Sequence, residues 1–407
     1  MKVIVAAYAF RPNEGSEQGA AWNLLTRLAS FHEMWVITRA RHRDAIDKAL
    51  SGLPIQGLHV IYHDLPKLLA LKRLPGGLYL YHYLWHLSLK PIAANLHRER
   101  SFDLAHHLTF GSYRYPSGLR AIGIPLIMGP VGGAEKTPIA YWWTLGARGI
   151  VGELGRWLSN VWTMVDPFIR ASYRRASRVL AVTEITQRQL QRITRAPIEI
   201  LPQSGVQPGT VANFSRGHST RRPTRILFVG RLVPWKGAHL ALTAFAIAKR
   251  ERSDLQFKIL GTGPLETNLR RTIERRSIPD ATLLGRLEHL EDVQDLYAES
   301  DIFLFPSLHE SGGMAVLEAM SSGLPVICLN LGGPAVSVTP ECGIVVSTGS
   351  PSTTVRALAD AILKLTDEPQ TWARMSEAAQ VRASDYSWDR KAERLNAIYK
   401  SLDRRAK

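Results

Sequence analysis

Short β-rich runs alternate with longer helical patterns along most of this 407-residue sequence, and this alternation limits the fold more than any other feature. Strands that are separated by helices usually pair in parallel, with helices covering both faces of the sheet. In the first half the predicted strands are KVIVAAY, EMWVITR, LHVIYHD, FDLAHHL, PLIMGP, RVLAVT and IEILPQSGV. In the second half they are RILFVGR, FKILGTG, ATLLGR, DIFLFPS and PVICLN. The pattern predicts an α/β protein.

The length of the chain and a break in its pattern predict two domains. A chain of 407 residues is longer than single hydrophobic cores usually grow. The basic segment SRGHSTRRPT, residues 215–224, separates the two strand series and is interpreted as an interdomain linker. We expect doubly wound, Rossmann-like domains at residues 1–210 and 211–385, facing each other across a cleft at the carboxyl ends of strands. Residues 386–407 are expected to form a helix that packs back on the body, toward the N-terminal domain.

Composition narrows the class of protein. Lysine and arginine outnumber aspartate and glutamate by 51 to 35, and the formal charge of +16 favours phosphate-rich partners such as nucleotides, anionic lipids or nucleic acid. Two cysteines are too few for a disulfide scaffold or a four-cysteine zinc site. The start, MKVIVAAYAF, is interpreted as a strand rather than a signal peptide, and no apolar run approaches the ~20 residues that span a bilayer. We therefore expect a cytoplasmic protein, either free or attached to a membrane surface.

The stretch LHESGGMAVLEAM, residues 308–320, surrounds a glycine pair with two carboxylates. On one continuous helix Glu310 and Glu318 would lie on different faces, so we predict a strand, a glycine turn and then a helix. Gly312 and Gly313 would let the backbone approach a ligand, and the helix N-terminus would attract an anion such as a diphosphate. Carboxylates suit sugar hydroxyls. The alternative is two solvated glutamates beside a capping turn.

A second motif, FVGRLVPWKG, ends a predicted strand in glycine and places two cations before a helix. After Gly230 come Arg231 and Lys236, followed by Gly237. Arginine binds phosphate oxygens in a bidentate manner and lysine adds a mobile point charge, so the pair would neutralise a departing diphosphate. Ordinary surface cations before a helix are the alternative.

The motifs of the second half together resemble the nucleotide-sugar domain of retaining glycosyltransferases of family 4, which have the GT-B fold. The resemblance spans residues 225–346 and consists of FVGRLVPWKG, ILGTGP, LLGRL, DIFLFPS, HESGGMAVLE, EAMSSGLPVI and LGGPAVSV. It implies that Arg231 and Lys236 contact the diphosphate of the donor and that Glu318 binds its ribose. The transferred sugar and its phosphate would be held by Glu310, Gly312, Gly313 and Met314. Many relatives have Gly-Phe-Gly after the first glutamate, whereas Ser311 follows it here, which bears on the choice of sugar.

The first half resembles the acceptor domain of the same family, in a subgroup associated with bacterial surface polysaccharides. The similar stretches are RPNEGSEQGAAW, FDLAHHLTFGSYRYPSG and IMGPVGGAEKTP. Gly15 and Ser16 lie between the first strand and the first helix, where they would either approach the donor or form a plain turn and N-cap. His106 and His107 end a strand, and because neighbours on a strand face opposite sides, only one is expected to meet a sugar hydroxyl or the acceptor. A packed or solvated histidine is the alternative for each.

The resemblance also implies a mechanism. Transfer would proceed with retention of configuration, with an oxygen of the donor's own phosphate taking the proton of the acceptor. The sequence contains no Asp-x-Asp pair for a metal, so we expect a metal-independent hexosyltransferase that needs no cofactor beyond its nucleotide-sugar donor. The implied acceptor is a glycan or a lipid-linked precursor, as in exopolysaccharide biosynthesis.

Two aromatic and basic segments suggest a membrane surface. Residues 66–90, PKLLALKRLPGGLYLYHYLWHLSLK, mix cations with leucine, tyrosine and tryptophan. A second cluster consists of Tyr141, Trp142, Trp143, Trp157 and Trp162. Cations would meet anionic headgroups while the rings enter the acyl boundary, which would make the protein peripheral on the inner face of the cytoplasmic membrane. Helices packed inside an aromatic-rich domain are the alternative.

Two other functions fit parts of the pattern. A GT-B nucleotide-sugar epimerase would share the phosphate site but need no acceptor. A noncatalytic membrane or nucleic-acid binder would use the positive charge alone. No Gly-x-Gly-x-x-Gly after a strand, P-loop or His-Glu-x-x-His motif accompanies the charge, and nucleic acid is not an expected partner.

Overall fold

The computed structural model describes residues 1–74, 76–108, 111–207 and 223–403, and these divide into two compact units. The first unit comprises Met1–Ala134, Arg156–Gly205 and Trp388–Lys407. The second comprises Glu135–Gly155 and Val206–Ser387. Of the predicted linker at residues 215–224, all but the last two residues lie outside the described residues.

The first unit is built on a parallel sheet. Its strands are β1 (Lys2–Ala6), β2 (Glu33–Thr38), β3 (Leu58–Tyr62), β4 (Leu104–His107), β5 (Leu126–Val131), β6 (Arg178–Ala181) and β7 (Ile198–Ile200). Within the described residues the strand order is β3-β2-β1-β4-β5-β6-β7, and every neighbouring pair is parallel. The order reverses between β1 and β4, so the carboxyl ends of these two strands mark the point at which such sheets bind ligands.

The second unit repeats this plan. Its strands are β8 (Thr224–Val229), β9 (Leu255–Leu260), β10 (Ala281–Gly285), β11 (Ile302–Phe305), β12 (Val326–Leu329) and β13 (Gly343–Val346). In the part of the chain that the structure describes they form one parallel sheet in the order β10-β9-β8-β11-β12-β13. The reversal falls between β8 and β11, the strands that carry the two motifs singled out in the sequence. The predicted α/β class with two doubly wound sheets is confirmed.

Helices follow most of the strands. They are α1 (Ser16–Leu28), α2 (Arg43–Gly52), α3 (Gly77–Arg100), α4 (Gly146–Val165), α5 (Pro167–Arg175), α6 (Glu184–Leu190), α7 (Ala238–Glu251), α8 (Glu266–Arg275), α9 (Leu290–Glu299), α10 (Met314–Ser321), α11 (Gly332–Ser337), α12 (Pro351–Asp367), α13 (Pro369–Ser384) and α14 (Trp388–Ser401). Short 3-10 helices lie at Ala40–His42, Pro66–Arg73, Gly118–Ile122, Ile139–Leu145 and Pro234–Lys236.

Each face of the first sheet has its own core. On one face Tyr81 and Trp85 of α3 are fully buried against the strands. On the other face α1 packs with the C-terminal helix α14, whose Leu395 and Tyr399 are also fully buried. Lys391 of α14 is buried as well, and its Nζ donates to the carbonyls of Pro202 and Ser204. Burial, and next the charge of Arg394, lowers the pKa of Lys391 to about 7.

Residues 135–155 belong to the second unit by their contacts, whereas the sequence placed them in the N-terminal domain. Tyr141 is fully buried in the second core, and its hydroxyl donates to Thr354 Oγ1 of α12 at 2.6 Å. The ring is therefore a packing residue of the second unit and does not join the aromatic surface predicted around it. Strand order alone does not predict this assignment, because it depends on contacts between residues far apart in sequence.

Candidate functional site

The turn between β11 and α10 brings Glu310 against backbone N–H groups. Gly313 precedes α10 in the left-handed region, with φ 64° and ψ 40°, where glycine is favoured. Glu310 Oε1 accepts hydrogen bonds from the N–H groups of Gly312 at 3.3 Å and Gly313 at 3.2 Å. The predicted strand, glycine turn and helix are all present. The carboxylate of Glu310 itself occupies the amides that the sequence assigned to a diphosphate.

Two further glycines hold this turn in place, and sequence reasoning gave them no role. Gly332 has φ 61°, and a Cβ on it would lie 2.0 Å from the Glu310 carbonyl oxygen. A Cβ on Gly333 would lie 2.1 Å from the Ser311 carbonyl oxygen, and the Gly333 N–H donates to the Glu310 carbonyl at 2.8 Å. Since any side chain at these positions would push the turn away, the LGG of α11 sets the position of Glu310.

Lys236 reaches Glu310 from a different motif. The 3-10 helix Pro234–Lys236 ends at Gly237, where φ is 77° and a Cβ would lie 2.0 Å from the Pro306 carbonyl oxygen. Leu308 N–H donates to the Trp235 carbonyl at 2.8 Å, which ties this helix to the residues after β11. Lys236 Nζ forms an ion pair with Glu310 Oε2, and both side chains are largely buried. The structure thus joins two motifs that lie 74 residues apart in sequence.

Arg231 lies just after β8 with its side chain exposed. Among the described residues no hydrogen bond or ion pair engages its guanidinium. The preceding Gly230 tolerates a Cβ at ordinary contact distance from Phe305, 3.5 Å, so the lack of a side chain there is not needed for packing. Gly261 is the position that requires glycine, because a Cβ there would lie 1.9 Å from the Gly230 carbonyl oxygen. The geometry therefore leaves Arg231 accessible to a ligand.

Glu318 lies in the second turn of α10 and is held by a tyrosine that the sequence did not suggest. Tyr297 of α9 donates its hydroxyl to Glu318 Oε2 at 3.1 Å. Burial raises the pKa of Glu318, and the hydrogen bond from Tyr297 opposes that rise. In the described part of the chain no hydrogen bond or ion pair links Glu318 to Glu310 or Lys236. The two glutamates therefore have separate partners, as expected if they do different jobs.

Ser311, the residue that departs from the family pattern, has a buried partner. Its Oγ donates to Glu135 Oε2 at 2.6 Å, and Glu135 is 2% exposed. Glu135 comes from the stretch GGAEKTP, which the sequence assigned to the acceptor domain, yet it packs within the second unit. A contact across 176 residues leaves no local signal.

Gly15 and Ser16 lie at the start of α1, and their approach to a donor stays a prediction. Gly15 is the N-cap of α1 in an extended conformation, with φ −74° and ψ 177°, and Ser16 is the first residue of the helix. The next residue, Glu17, is more distinctive: it is partly buried, and loss of water around it raises its pKa to about 7 against the effect of a hydrogen bond from Gln203. Glu17 also lines a small cavity with Leu108 and Pro130. Sequence analysis singled out the neighbours and missed this carboxyl group.

His106 and His107 point to opposite faces of the first sheet, and both are fully buried. Nε2 of His106 donates to the Gly129 carbonyl at 2.5 Å, so Nδ1 accepts from the Tyr399 hydroxyl, also at 2.5 Å. Burial lowers the pKa of His106 to about 4. Because both ring nitrogens are used, the structure favours a packed histidine here over contact with a sugar or acceptor.

His107 lies on the α3 side of the sheet, where its ring centroid is 4.4 Å from that of His86. No ring nitrogen of either residue has a hydrogen-bond partner in the structure. Burial is the main cause that holds the pKa of both imidazoles well below 6.5, and each lies near further histidines. His107 is likewise a core residue in this arrangement.

Among the described residues there is no grouping of three His, Cys, Asp or Glu side chains suited to a metal.

Comparison with known proteins agrees with this geometry. Residues 213–382 match the family described as Glycosyl transferases group 1. A GDP-mannose-dependent monoacylated alpha-(1-6)-phosphatidylinositol monomannoside mannosyltransferase of Corynebacterium glutamicum is 33% identical over 267 residues, which is 60% of this chain and 68% of the relative. Alpha-D-kanosaminyltransferase of Streptomyces kanamyceticus is 27% identical over 246 residues, and the chain spans 62% of that protein, less than two thirds.

The crystal structure of Anabaena Alr3699/HepE in complex with UDP superposes with a TM-score of 0.62 at 18% identity, covering 98% of this chain and all of that one. At this level of identity the likeness shows the fold. The predicted GT-B fold is therefore confirmed, and none of these findings supports an epimerase or a noncatalytic binder.

The buried histidines predict that the protein loses stability in mild acid. Their pKa values are lowered in the folded state, so as pH falls through about 6.5 the unfolded chain takes up protons first and the free energy of unfolding decreases. We expect His86→Phe to reduce this slope between pH 6 and 5 by about 1.4 kcal/mol per pH unit, the limit for one group. Urea unfolding at a series of pH values measures it. The exposed His289, changed to Phe, is the control, and equal slopes for the two variants would contradict the assignment.

Proposed function

Because the chain belongs to the glycosyl transferases group 1 family, we propose that it is a retaining, metal-independent enzyme of family 4 that moves a hexose from a nucleotide sugar to a lipid-linked or glycan acceptor. The observation that carries this proposal is the ion pair between Lys236 and Glu310 at the switch point of the second sheet. It brings together a cation for phosphate and a carboxylate for sugar hydroxyls.

Donor binding would exchange the partners of this pair. In the structure Glu310 takes up both Lys236 and the N–H groups of Gly312 and Gly313. A diphosphate entering here would take over the ammonium and the amides, and the carboxylate would turn to the hydroxyls of the sugar. Arg231, exposed after β8, would supply the second cation. The diphosphate of the donor would then neutralise the positive charges of Lys236 and Arg231.

The chemical step needs little from the protein beyond position and charge. The bond from the anomeric carbon to the phosphate oxygen breaks as the acceptor oxygen attacks on the same face. The acceptor proton passes to an oxygen of the leaving diphosphate. Lys236 and Arg231 stabilise the negative charge that develops on that diphosphate, which is electrostatic catalysis without a protein nucleophile. Since these two cations supply the charge that a metal ion supplies elsewhere, we expect activity to survive chelation.

Glu318 and Tyr297 would hold the nucleoside end of the donor. A ribose diol is a good partner for a carboxylate. Tyr297 donates to Oε2, which leaves Oε1 to accept from a ribose hydroxyl. The buried hydrogen bond fixes the orientation of the carboxylate before the donor arrives. The hydrogen bond between Tyr297 and Glu318 would therefore contribute to binding of the donor rather than to bond breaking at the anomeric carbon.

An exposed apolar helix face supports attachment to a membrane. From Trp157 to Phe168 the outward residues are apolar, with exposures of 46–62%: Trp157, Leu158, Val161, Trp162, Val165 and Phe168. The inward residues are polar: Asn160 accepts from Tyr113 and Arg114, and Asp166 accepts from Tyr83. Helices on soluble proteins have the opposite polarity, with the apolar stripe inward. We name these six outward residues the apolar face.

Cations and further exposed apolar residues adjoin the apolar face. Arg120 donates to the Phe168 carbonyl at 3.2 Å and lies 5.5 Å from its ring, and Arg174 of α5 is exposed. Tyr83 of α3 donates its hydroxyl to Asp166, and the first turn of α3 exposes Leu78 and Tyr79. Positive charge beside tryptophan and leucine suits an anionic bilayer surface. We infer that the protein is peripheral on the inner face of the cytoplasmic membrane, as expected for exopolysaccharide biosynthesis on a lipid-linked acceptor.

No helix within the described residues has the length and apolar character that crossing a bilayer requires. In the second predicted aromatic cluster, Trp143, Trp157 and Trp162 are exposed. By contrast Tyr81 and Trp85, from residues 66–90, are buried in the core. Only part of each segment is thus available to a membrane.

Removing the Lys236 ammonium should abolish transfer. The donor is identified as the nucleotide sugar that raises the melting temperature of the protein, and release of the nucleoside diphosphate is then measured. We expect Lys236→Ala to lower the rate by about 100- to 1000-fold, the usual loss for one electrostatic contact to a developing charge. Lys258→Ala, which breaks an exposed pair with Glu299, should leave the rate unchanged. Near-normal turnover in folded Lys236→Ala protein would refute the assignment.

Removing the Tyr297 hydroxyl should weaken donor binding more than chemistry. Tyr297→Phe takes away a hydrogen bond to a buried carboxylate, so we expect KM for the donor to rise about tenfold with little change in kcat. Steady-state kinetics with varied donor separates the two constants. Tyr62→Phe, which removes the exposed hydrogen bond to Asp47, is the matched control. A fall in kcat at constant KM would place Tyr297 elsewhere in the mechanism.

The apolar face can be tested by flotation with vesicles. Replacing Trp157 and Trp162 together by serine should lower the partition coefficient for phosphatidylcholine vesicles containing phosphatidylglycerol by about tenfold or more, because each buried aromatic ring contributes more than about 1 kcal/mol. Leu290→Ser, at an exposed apolar residue of the second unit, is the control. Equal binding by both variants would show that another surface is responsible.

A further inference from the structure

Positive charge is concentrated at the carboxyl edge of the first sheet. β2 ends at Thr38, and the chain continues as Arg39, Ala40, Arg41, His42 and Arg43. β1 pairs with β2 in parallel, so the carboxyl ends of both strands lie at this edge. The switch point between β1 and β4 is at the same edge. Ligands of this fold bind in this region of a sheet.

Arg39 is fixed in place beneath the surface. Only 5% of it is exposed, and its Nε lies 3.1 Å from Asp64 Oδ1. Its guanidinium carbon lies 4.8 Å from the ring centroid of Tyr8 and 5.7 Å from that of Tyr81. Asp64 also accepts from the Tyr81 hydroxyl and from the Ala40 N–H, each at 3.1 Å. The carboxylate therefore already accepts three hydrogen bonds from its own surroundings.

Two neighbouring cations have no carboxylate. Lys72 Nζ lies 3.8 Å from the ring centroid of Tyr81, on whose ring Arg39 also rests. In the described residues no ion pair includes Lys72 or Arg41. Burial, and next the charge of Arg39, lowers the pKa of Lys72 to about 8; the charge of Asp64 opposes this shift, and Arg41 adds a smaller lowering effect. Burial is thus the main cause of that shift, and the neighbouring arginines add to it.

The charges in this cluster do not balance. Arg39, Arg41 and Lys72 carry three positive charges, and Asp64 supplies one negative charge. A phosphate monoester, with a charge near −2 at neutral pH, would neutralise the remainder. Arginine and lysine beside aromatic rings also supply the donors that phosphate oxygens accept. A neutral sugar hydroxyl would gain little from such a cluster.

We propose that Arg39, Arg41 and Lys72 form a phosphate-binding subsite for the acceptor, so that the acceptor of this enzyme is itself phosphorylated. The inference rests on the proposed function, because it assigns the acceptor of that reaction to the first unit. Two sources have this chemistry: a soluble phosphate ester and the headgroup of a phospholipid. Lys72 belongs to the 3-10 helix Pro66–Arg73, whose Leu69 is exposed, so a lipid phosphate can reach the subsite from a bilayer.

The subsite is tested with glycerol 3-phosphate as the soluble probe. Titration calorimetry is done on the full-length protein saturated with the nucleoside diphosphate of its donor, so that the donor site is already filled. We expect Arg41→Gln and Lys72→Gln each to raise Kd by about tenfold or more, the loss of one charge-assisted contact. Lys48→Gln removes an exposed cation of α2 and should leave Kd unchanged. Glycerol, which lacks the phosphate, should not bind.

Vesicles distinguish the two sources. If the natural ligand is a phospholipid, both variants also lose binding to phosphatidylcholine vesicles containing phosphatidic acid, relative to Lys48→Gln. If it is a soluble ester, only the glycerol 3-phosphate titration changes. Either result supports the subsite. Wild-type affinity in both variants, or a loss seen only with Lys236→Ala, overturns it. Donor protection against thermal unfolding should persist in Arg41→Gln and Lys72→Gln, and its absence from the unmutated protein would refute the proposed function instead.

Discussion

The proposed donor site depends on one ion pair, between Lys236 and Glu310, held in a largely buried position. Two charges removed from water are stable only when each satisfies the other, and truncating one would leave the second uncompensated. The pair exists because Gly237 and Gly313 turn the chain after β8 and after β11 toward the same point. The backbone of Gly332 and Gly333 packs directly against the turn after β11. A ligand that replaces both partners at once can enter without leaving a buried charge alone.

Much of this follows from the sequence, and the reason is local. Period-two runs and glycine turns specify the strands and the turn of residues 308–320, since both depend on neighbouring residues. β13 is an exception: GIVV is a short run at the sheet edge, and only its pairing with β12 makes it a strand. Alternation also tells that His106 and His107 face opposite sides, but not that both sides are covered.

The contacts that sequence analysis missed are all long-range. Tyr297 meets Glu318, Ser311 meets Glu135, and Tyr399 meets His106, each pair brought together only by packing of separate elements. In each case a buried or partly buried polar group needs a hydrogen-bond partner, and this need becomes visible only when the structure shows the burial. The orientation of α4 and α5 also depends on long-range contacts. Their apolar residues can be identified in the sequence, but these residues face outward because Asn160 and Asp166 are hydrogen-bonded on the inner side.

The distribution of charge, more than its total, separates this chain from a binder of nucleic acid. A formal charge of +16 would suit a basic stripe along a nucleic-acid backbone. Instead, cations lie after β2, the strand next to β1 in the first sheet, and after β8, at the strand order reversal of the second sheet. In our proposal the second group holds a carboxylate that a donor would displace, whereas the first holds Asp64, which already accepts three hydrogen bonds, and two cations without an ion-pair partner among the described residues. Two small phosphate groups, one on each substrate, account for this pattern better than one long polyanion.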